Sequence, residues 1–265
     1  MLVIPKIRPK GIKLLKNNDP ELKFPASVRR TINNDIRQKK IFIVDASAVL
    51  DIPTFQLNYA PILVLKLVSK NNLQPVMIQT SRERDAVVFT PQDDFYQWKL
   101  AKRLFEGVNS MTQTVVEHLL QCHLVVEIFA TAAYRSFSYN HPVYKILYPH
   151  IKTITSINAY ARQPKSRGGG LIGDGGFVTR ASPLSYENIQ ELFHNVLQTW
   201  SPDEMNLPKY LEDNGLTEDI LQFPYAFRDD GMKEKGMKFC IYSRYSIIVT
   251  VCDFFLSNFR KNTVF

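Results

Sequence analysis

Cysteine is scarce in this 265-residue chain, because only Cys122, Cys240 and Cys252 occur and they form no CxxC pair. A sparse, odd count excludes a disulfide framework and is typical of a reducing compartment, so we expect a cytoplasmic protein. The N-terminus MLVIPKIRPK has too short an apolar run before its first charges to be a signal peptide. In the last 33 residues the longest uncharged stretch is the eight residues Tyr245–Cys252, which is too short to cross a bilayer. No transmembrane segment is therefore expected.

Excess positive charge is also absent from most of the chain. The net charge of +8 arises within residues 1–40, which hold eleven Lys or Arg and three Asp or Glu. We therefore predict a basic leader, which can make peripheral contact with anionic membrane lipid, although a solvated charged segment is the commoner meaning of such a run. The leader has no RNA-binding motif and one aromatic residue, Phe24, so no nucleic-acid partner is expected.

Short apolar or β-branched runs predict strands at 41–45, 62–68 and 75–80. The last two runs are close enough in sequence to form a hairpin. After Pro91 the pattern changes, and apolar residues recur at helical spacing. The sequence therefore predicts a small β region followed by helices.

The first helix should begin at the Asp93–Asp94 pair, since aspartate accepts hydrogen bonds from free N–H groups at a helix start. Asn109 indicates a break. Ser110 and Gln113 then have capping-box spacing, so a second helix should begin there and end near Phe137.

Further along the chain, His141 and Pro142 end that helix and begin another, in which Pro149 predicts a kink. Six of the eleven glycines lie within residues 168–176. No Gly-Lys-Ser/Thr sequence follows them, so this is not a phosphate-binding loop, and a flexible connection is expected. A further helix is predicted at 186–199.

The segment HLLQCHLVVE, residues 118–127, is the strongest candidate for chemistry. His118 and His123 are five residues apart, a step that turns about 140° on an ordinary α-helix. They can meet at one metal ion only where the helix is widened by i→i+5 bonding, and such π-bulges occur mostly at functional sites. We expect a buried helix, because its residues are apolar nearly all round. The two imidazoles should then converge in the interior.

Two alternatives to this interpretation remain open. A pair of histidines in a helix is more often two ordinary core or surface residues than a metal site. The helix could also belong to an unrelated metalloprotein in which Glu127 supplies a third ligand. The zinc-protease pattern H-E-x-x-H does not fit, since it needs a spacing of four residues.

Several segments together resemble the lipoxygenase family, the non-haem iron dioxygenases of polyunsaturated fatty acids. The matching stretches are IFIVD (41–45) with LDIPT (50–54), FTPQDDFYQWKLAKRLF (89–105), HLLQCHLVVEIFATAAYR (118–135), HPVYKILYPHIKTITSINAYAR (141–162), and LIGDGGF (171–177) with PYAFRDDGM (224–232). The third and fourth are highly specific. The similarity extends over roughly residues 20–232.

The resemblance implies roles for individual residues. His118 and His123 match the first two iron ligands, and Leu124 matches a leucine thought to shape oxygen access. Ala161 stands where alanine usually accompanies S-hydroperoxides. Tyr160 stands where some animal members have a basic residue for the substrate carboxylate, and Arg162 is close by. We therefore expect iron as the cofactor, and Leu124, Tyr160, Ala161 and Arg162 in the substrate pocket. The resemblance assigns His141 and His150 a structural role.

The sequence departs from the family at several points. Thr112 stands where many members have a further histidine, and residues 163–170 look like a short insertion. After Gly231 the chain follows no family pattern and has no histidine, whereas the family continues with three more iron ligands. The chain is therefore expected to be truncated and impaired as an enzyme. The alternative is a non-catalytic fragment that binds lipid or a full-length homologue.

The predicted fold is mainly α, the N-terminal half of the helical lipoxygenase catalytic domain, with a small β region around residues 41–80. The predicted segments are a basic leader at 1–40, a partial catalytic domain at 41–232 and a divergent tail at 233–265. The function that the resemblance implies is dioxygenation of polyunsaturated fatty acids to hydroperoxides, with the fatty acid and O2 as partners.

Overall fold

The computed structural model describes residues 11–46, 60–69, 72–181, 184–201, 210 and 212–216. The predicted tail at 233–265, Cys240, Cys252 and the LDIPT and PYAFRDDGM motifs lie outside these residues. The chain divides into two compact units. Of the described residues, 11–46, 60–69, 72–113, 210 and 212–216 belong to the first unit, and 114–181 and 184–201 belong to the second.

The first unit contains a five-stranded antiparallel sheet whose strands are neighbours in chain order. The strands are β1 (Ile12–Leu14), β2 (Ile41–Asp45), β3 (Ile62–Ser69), β4 (Asn72–Gln79) and β5 (Val88–Phe89). The predicted strands and their hairpin are confirmed, although β4 begins before its predicted start and contains Pro75. The register of β3 and β4 shifts between Val64 and Leu65, the partner of Pro75, as expected where proline offers no N–H to the ladder.

Side chains of this sheet alternate between two buried clusters, one on each face. One cluster contains Phe42, Val44, Leu63 and Leu65 together with Ala101 and Phe105 of α2 (Phe95–Thr112). The other contains Ile41, Ile43, Ile62 and Val64 together with Ile32 and Ile36 of α1 (Ala26–Arg37). Both faces of the sheet are therefore covered, which explains why its strands read as continuous apolar runs.

The described part of the basic leader belongs to this first unit. It supplies β1 and α1, and the side chains of Leu22 and Phe24 are buried in the second cluster. Residues 12–37 are therefore not a solvated segment, because they contribute apolar side chains to the core. The Asp35 carboxylate of α1 is 2.6 Å from Lys66 Nζ on β3.

Arg82 joins the leader to the sheet through three carboxylates. Its guanidinium lies 2.6 Å from Asp45, 3.0 Å from Asp19 and 2.5 Å from Glu21. Burial on its own would lower the pKa of Arg82, but the hydrogen bonds to Asp45, Glu21 and Asp19 outweigh burial and raise that pKa. The side chain of Arg82 is therefore held as a permanent cation at the centre of a negative cluster.

Helix α2 begins where the sequence predicted, because Asp94 accepts hydrogen bonds from the backbone N–H groups of Tyr96 and Gln97. The predicted break at Asn109 is wrong. Asn109 is buried, Thr112 Oγ1 donates to the carbonyl of Val108, and the helical backbone continues into a π-helix at Gln113–Val125. Helical hydrogen bonding thus overrides the capping-box spacing of Ser110 and Gln113.

The described part of the second unit contains most of that π-helix and five α-helices. They are α3 (Val126–Ser136), α4 (Pro142–Ile151), α5 (Ile154–Ala161), α6 (Phe177–Ala181) and α7 (Tyr186–Thr199). His141 caps α4, since its Nδ1 accepts from the N–H of Val143, in agreement with the predicted structural role. Pro149 lies inside α4 without ending it, and α4 continues to Ile151.

Packing in this unit is centred on α3, which contacts both α4 and α5. Their shared apolar cluster contains Val126, Ala130, Ala133, Leu147, Ile151 and Ile154. The Tyr134 hydroxyl donates to the carbonyl of Ile151 over 2.8 Å, at the end of α4. α5 is therefore held in place next to the helix that follows the histidines.

The glycine-rich segment forms a tight turn against the end of α5 rather than a flexible connection. Ala161 O accepts hydrogen bonds from the N–H groups of Leu171 and Ile172, each 3.1 Å long. Gly170 has φ +57°, and a Cβ atom there would lie 2.1 Å from Tyr160 O. Only glycine allows the backbone to approach so closely in this conformation.

Within the described residues, the continuous helical stretch Phe95–Ser136 is long and apolar enough to cross a membrane by length and composition. The core helix of a soluble protein meets the same criterion. In this chain, 44% of the apolar stretch that meets it is buried. The expectation that the chain has no transmembrane segment stays a prediction.

Candidate metal site

The rings of His118 and His123 lie side by side on the π-helix. Their centroids are 4.6 Å apart and their planes meet at 62°. The i→i+5 bonding of a π-helix brings residues five apart to nearly the same face, which an α-helix does not. The two rings therefore converge, as the spacing predicted. The prediction that they do so in the interior is wrong for His118, which is exposed, while His123 is half-buried.

This separation suits two ligands of one metal ion. Metal–imidazole bonds are about 2.0–2.1 Å long, so two ligating nitrogens lie within about 4 Å of each other, which rings at 4.6 Å can meet. Partial burial of the ring, followed by the nearby His123 imidazole, lowers the pKa of His118. A lowered pKa favours the neutral ring, which is the form that binds metal.

Asn158 of α5 fixes the proton of His123. Asn158 Nδ2 donates to the His123 carbonyl over 3.0 Å and to Glu127 Oε2 over 2.9 Å. Its Oδ1 must then be the acceptor that faces His123 Nδ1 at 3.0 Å. The neutral His123 ring therefore carries its proton on Nδ1, and its lone pair is on Nε2.

Glu127 and Arg162 complete this network at its outer end. Arg162 donates from Nη1 to Glu127 Oε2 over 2.7 Å and from Nη2 to Oε1 over 3.1 Å. The hydrogen bond from Arg162 is the main reason that the pKa of Glu127 is lowered, with Asn158 contributing further and burial opposing. Both carboxylate oxygens are thus engaged, which argues against Glu127 as a metal ligand.

The donor set available here is two imidazoles. Within the part of the chain that the structure describes, no group of three or more His, Cys, Asp or Glu is arranged to hold a metal ion. Non-haem iron oxygenases use at least three protein ligands with open positions. His118 and His123 fit two of those positions, and a third ligand would have to come from outside the described residues.

The structure places the predicted pocket residues in different surroundings. Leu124 lines an open groove of about 620 Å³ together with Glu127, Ile128, Thr131, Ala132, Arg135 and Ser136. Tyr160, Ala161 and Arg162 do not line this groove. Tyr160 is 54% exposed, Ala161 is fully buried, and Arg162 is bound to Glu127. A shared substrate pocket for these four residues stays a prediction.

Asn158 is the residue that sequence reasoning missed. It is fully buried, and a buried amide in a mainly apolar helix is uncommon. The sequence holds a partial signal, because Asn158 in α5 and Arg162 directly after α5 are four residues apart, and so are His123 and Glu127 on the facing segment. Two polar pairs at helical spacing predict two facing polar stripes.

Comparison with known proteins supports the resemblance noted in the sequence. The lipoxygenase family profile matches residues 25–230. The chain belongs to the lipoxygenase family. The polyunsaturated fatty acid lipoxygenase ALOX8 of Mus musculus is 32% identical over 236 residues, which is 83% of this chain and 32% of that protein. The 12R-type arachidonate 12-lipoxygenase of Rattus norvegicus is 29% identical over 207 residues, or 75% of this chain and 28% of its own length.

Solved lipoxygenase structures share the fold. A calcium-dependent 11R-lipoxygenase superimposes with a TM-score of 0.70 at 24% identity, covering 78% of this chain and 32% of the other. A coral 8R-lipoxygenase gives a TM-score of 0.71 at 23% identity, covering 80% and 32%. The predicted fold class is confirmed. This lipoxygenase chain spans about a third of the length of the relatives it matches.

Proposed function

We propose that this chain supplies the histidine-bearing helix of a lipoxygenase-type iron site, at which polyunsaturated fatty acids react with O2 to give hydroperoxides. The observation that carries the proposal is the approach of the His118 and His123 rings to 4.6 Å on a π-helix, in a chain of this family. The substrate class rests on the relatives. The mouse relative is named for polyunsaturated fatty acids, and the rat relative for arachidonate.

Four residues of the chain would have separate roles at this site. His118 and His123 would bind iron, and Asn158 would hold the His123 ring in its metal-binding tautomer. Bound iron would supply one-electron oxidation of the substrate. Leu124 lies beside His123 and lines the groove on that helix, so it would present an apolar wall to a fatty-acid chain.

A direct test measures oxygen uptake. The full chain, loaded with Fe²⁺ under anaerobic conditions, is mixed with linoleate or arachidonate, and O2 consumption and conjugated-diene absorbance are followed. In keeping with the impaired activity expected from the sequence, we expect weak iron-dependent uptake that His118→Ala and His123→Ala abolish and that His194→Ala, an exposed histidine on α7, leaves intact. Equal uptake by all these variants, or with and without iron, would contradict the proposal.

A non-catalytic role in binding lipid is the second candidate. It is favoured by the open groove along α3 and by the 68% exposure of Ile128 on the groove wall, because exposed apolar surface of this kind often marks a binding site. Fatty-acid binding without oxygen uptake, measured on the same iron-loaded samples, would support this role over catalysis.

A further inference from the structure

We infer that Asn158 is a positioning residue, which holds His123 in the Nδ1–H tautomer and thereby directs its Nε2 lone pair to the metal. The part of the inference that concerns metal rests on the proposed function. The part that concerns the tautomer does not, because it follows from hydrogen bonds within the chain.

The first step is that both the Nδ2 and the Oδ1 atoms of the Asn158 amide form hydrogen bonds. Nδ2 donates two of them, one to the His123 carbonyl and one to Glu127 Oε2. Both of those atoms can only accept, which fixes the orientation of the amide and leaves Oδ1 for the His123 ring. Asn158 is fully buried, so water cannot take over any of these bonds without cost.

The second step is the anchoring of Asn158 itself. Glu127 accepts from Asn158 and is held in a two-bond ion pair by Arg162. Two planar groups paired in this way constrain each other's orientation as well as their separation. Asn158 lies in α5 and Arg162 directly follows it, while His123 lies in the π-helix and Glu127 in α3. The network therefore joins the α5 segment to the π-helix and to α3.

The third step is the consequence for the metal. A ligating histidine usually donates its second ring N–H to an oxygen, which sets its tautomer and its orientation. Asn158 Oδ1 is that oxygen for His123. Changing such an outer partner typically weakens metal binding by about 10–100-fold.

The test uses the full chain labelled with ¹⁵N-histidine. Long-range ¹H–¹⁵N spectra at pH 8.5 report which ring nitrogen carries the proton. We expect the Nδ1–H form for His123 in the parent chain and in Asn158→Asp, which keeps an acceptor for the ring. In Asn158→Leu, which removes it, we expect the Nε2–H form that histidine prefers in water.

Metal affinity is measured on the same samples by titration with Co²⁺, followed by its visible absorption. Asn158→Leu should weaken Co²⁺ binding by about tenfold or more, whereas Asp174→Asn, at an exposed ion pair of the same unit, should leave it unchanged. An Nε2–H form in the parent chain, or no change in tautomer and affinity in Asn158→Leu, would overturn the inference.

The two readouts also separate this inference from the proposed function. Suppose that the parent chain binds no Co²⁺, that its His123 is in the Nδ1–H form, and that Asn158→Leu changes this tautomer. The metal proposal then fails, whereas the tautomer assignment stands. If Asn158→Leu does not fold by circular dichroism, the parent spectrum and the Asn158→Asp spectrum still decide, since either one in the Nε2–H form contradicts the assignment.

Discussion

Arg162 and Glu127, 35 residues apart in the sequence, form two parallel hydrogen bonds of 2.7 and 3.1 Å between guanidinium and carboxylate. The side chain of Glu127 is 18% exposed and that of Arg162 is 42% exposed. This pair closes a network that also contains Asn158 and His123, and it links the end of α5 to the start of α3.

The Glu127–Arg162 pair should make stability depend on pH. Arg162 lowers the pKa of Glu127 in the folded chain, so the stabilisation is fully present above the ordinary glutamate pKa of about 4.3 and is lost as pH falls through the lower folded value. We expect Glu127→Gln to cost about 1 kcal/mol at pH 7, given the exposure of Arg162. Urea unfolding at pH 7 and pH 3 should show that this difference becomes smaller in acid.

The matched control for that measurement is Asp174→Asn, because Asp174 pairs with Lys165 while both side chains are largely exposed. Its effect should stay within a few tenths of a kcal/mol at either pH. A loss in Glu127→Gln that is the same at pH 3 as at pH 7 would show that the charge of Glu127 is not its cause.

The turn at Gly170 should tolerate no side chain. Its φ of +57° is a left-handed conformation, and a Cβ atom would meet Tyr160 O at 2.1 Å. We expect Gly170→Ala to destabilise the chain by about 2 kcal/mol or more. Gly107→Ala is the opposite case, since nothing lies within 4 Å of a Cβ there and the position is in α2, so it should stabilise by about 0.5–1 kcal/mol. Thermal and urea unfolding of both variants check this, and a neutral Gly170→Ala would contradict the turn geometry.

Arg82 should be needed to hold its three carboxylates together. Removing its charge leaves Asp19, Glu21 and Asp45 close to one another without a cation. We expect Arg82→Gln to cost about 2–3 kcal/mol at pH 7, below the usual range for a fully buried pair because the side chain is 29% exposed. Urea unfolding at pH 7 measures this cost.

Arg103→Gln is the control for Arg82, since Arg103 is 68% exposed and pairs with Glu106 one turn away on the same helix. Its cost should stay below about 0.5 kcal/mol. Similar unfolding free energies for the Arg82 and Arg103 variants would mean that the three-carboxylate cluster contributes little.

The iron content of the chain should depend on both His118 and His123. After anaerobic exposure to Fe²⁺ and removal of the excess, elemental analysis should find less iron in His118→Ala and in His123→Ala than in the parent chain, because each variant removes one of two converging nitrogens. The variant His194→Ala should retain the parent's iron. Iron that is retained by both π-helix variants would place the metal elsewhere.

Much of the fold could be predicted because local signals and tertiary structure agree. The strands β2, β3 and β4, the cap at Asp94 and the start of α4 at Pro142 follow from residue types that favour those positions, whereas β1 and β5 were not predicted. The start predicted at Ser110 failed because the capping-box spacing is a local signal, and it is overridden by the helical hydrogen bonding that continues through Ser110 from α2 into the π-helix.

The candidate site could be predicted only in part. The spacing of His118 and His123 indicated a widened helix, since no other helical geometry brings residues five apart together. Asn158 could not be found in the same way, because its contact with His123 joins residues 35 apart and depends on how α5 packs against α3. The exposure of His118 was likewise not visible from a sequence that is apolar on nearly every side.

The π-helix also sets the angular phase of everything that follows it. Deleting one residue between His118 and His123 would leave a spacing of four, which an ordinary α-helix brings to one face, so the histidine pair could survive. The same deletion would leave α3 close to its present phase, because Glu127 would still follow His123 by four residues. The π-helix therefore accommodates one more residue between the two imidazoles than an α-helix does over a similar rotation.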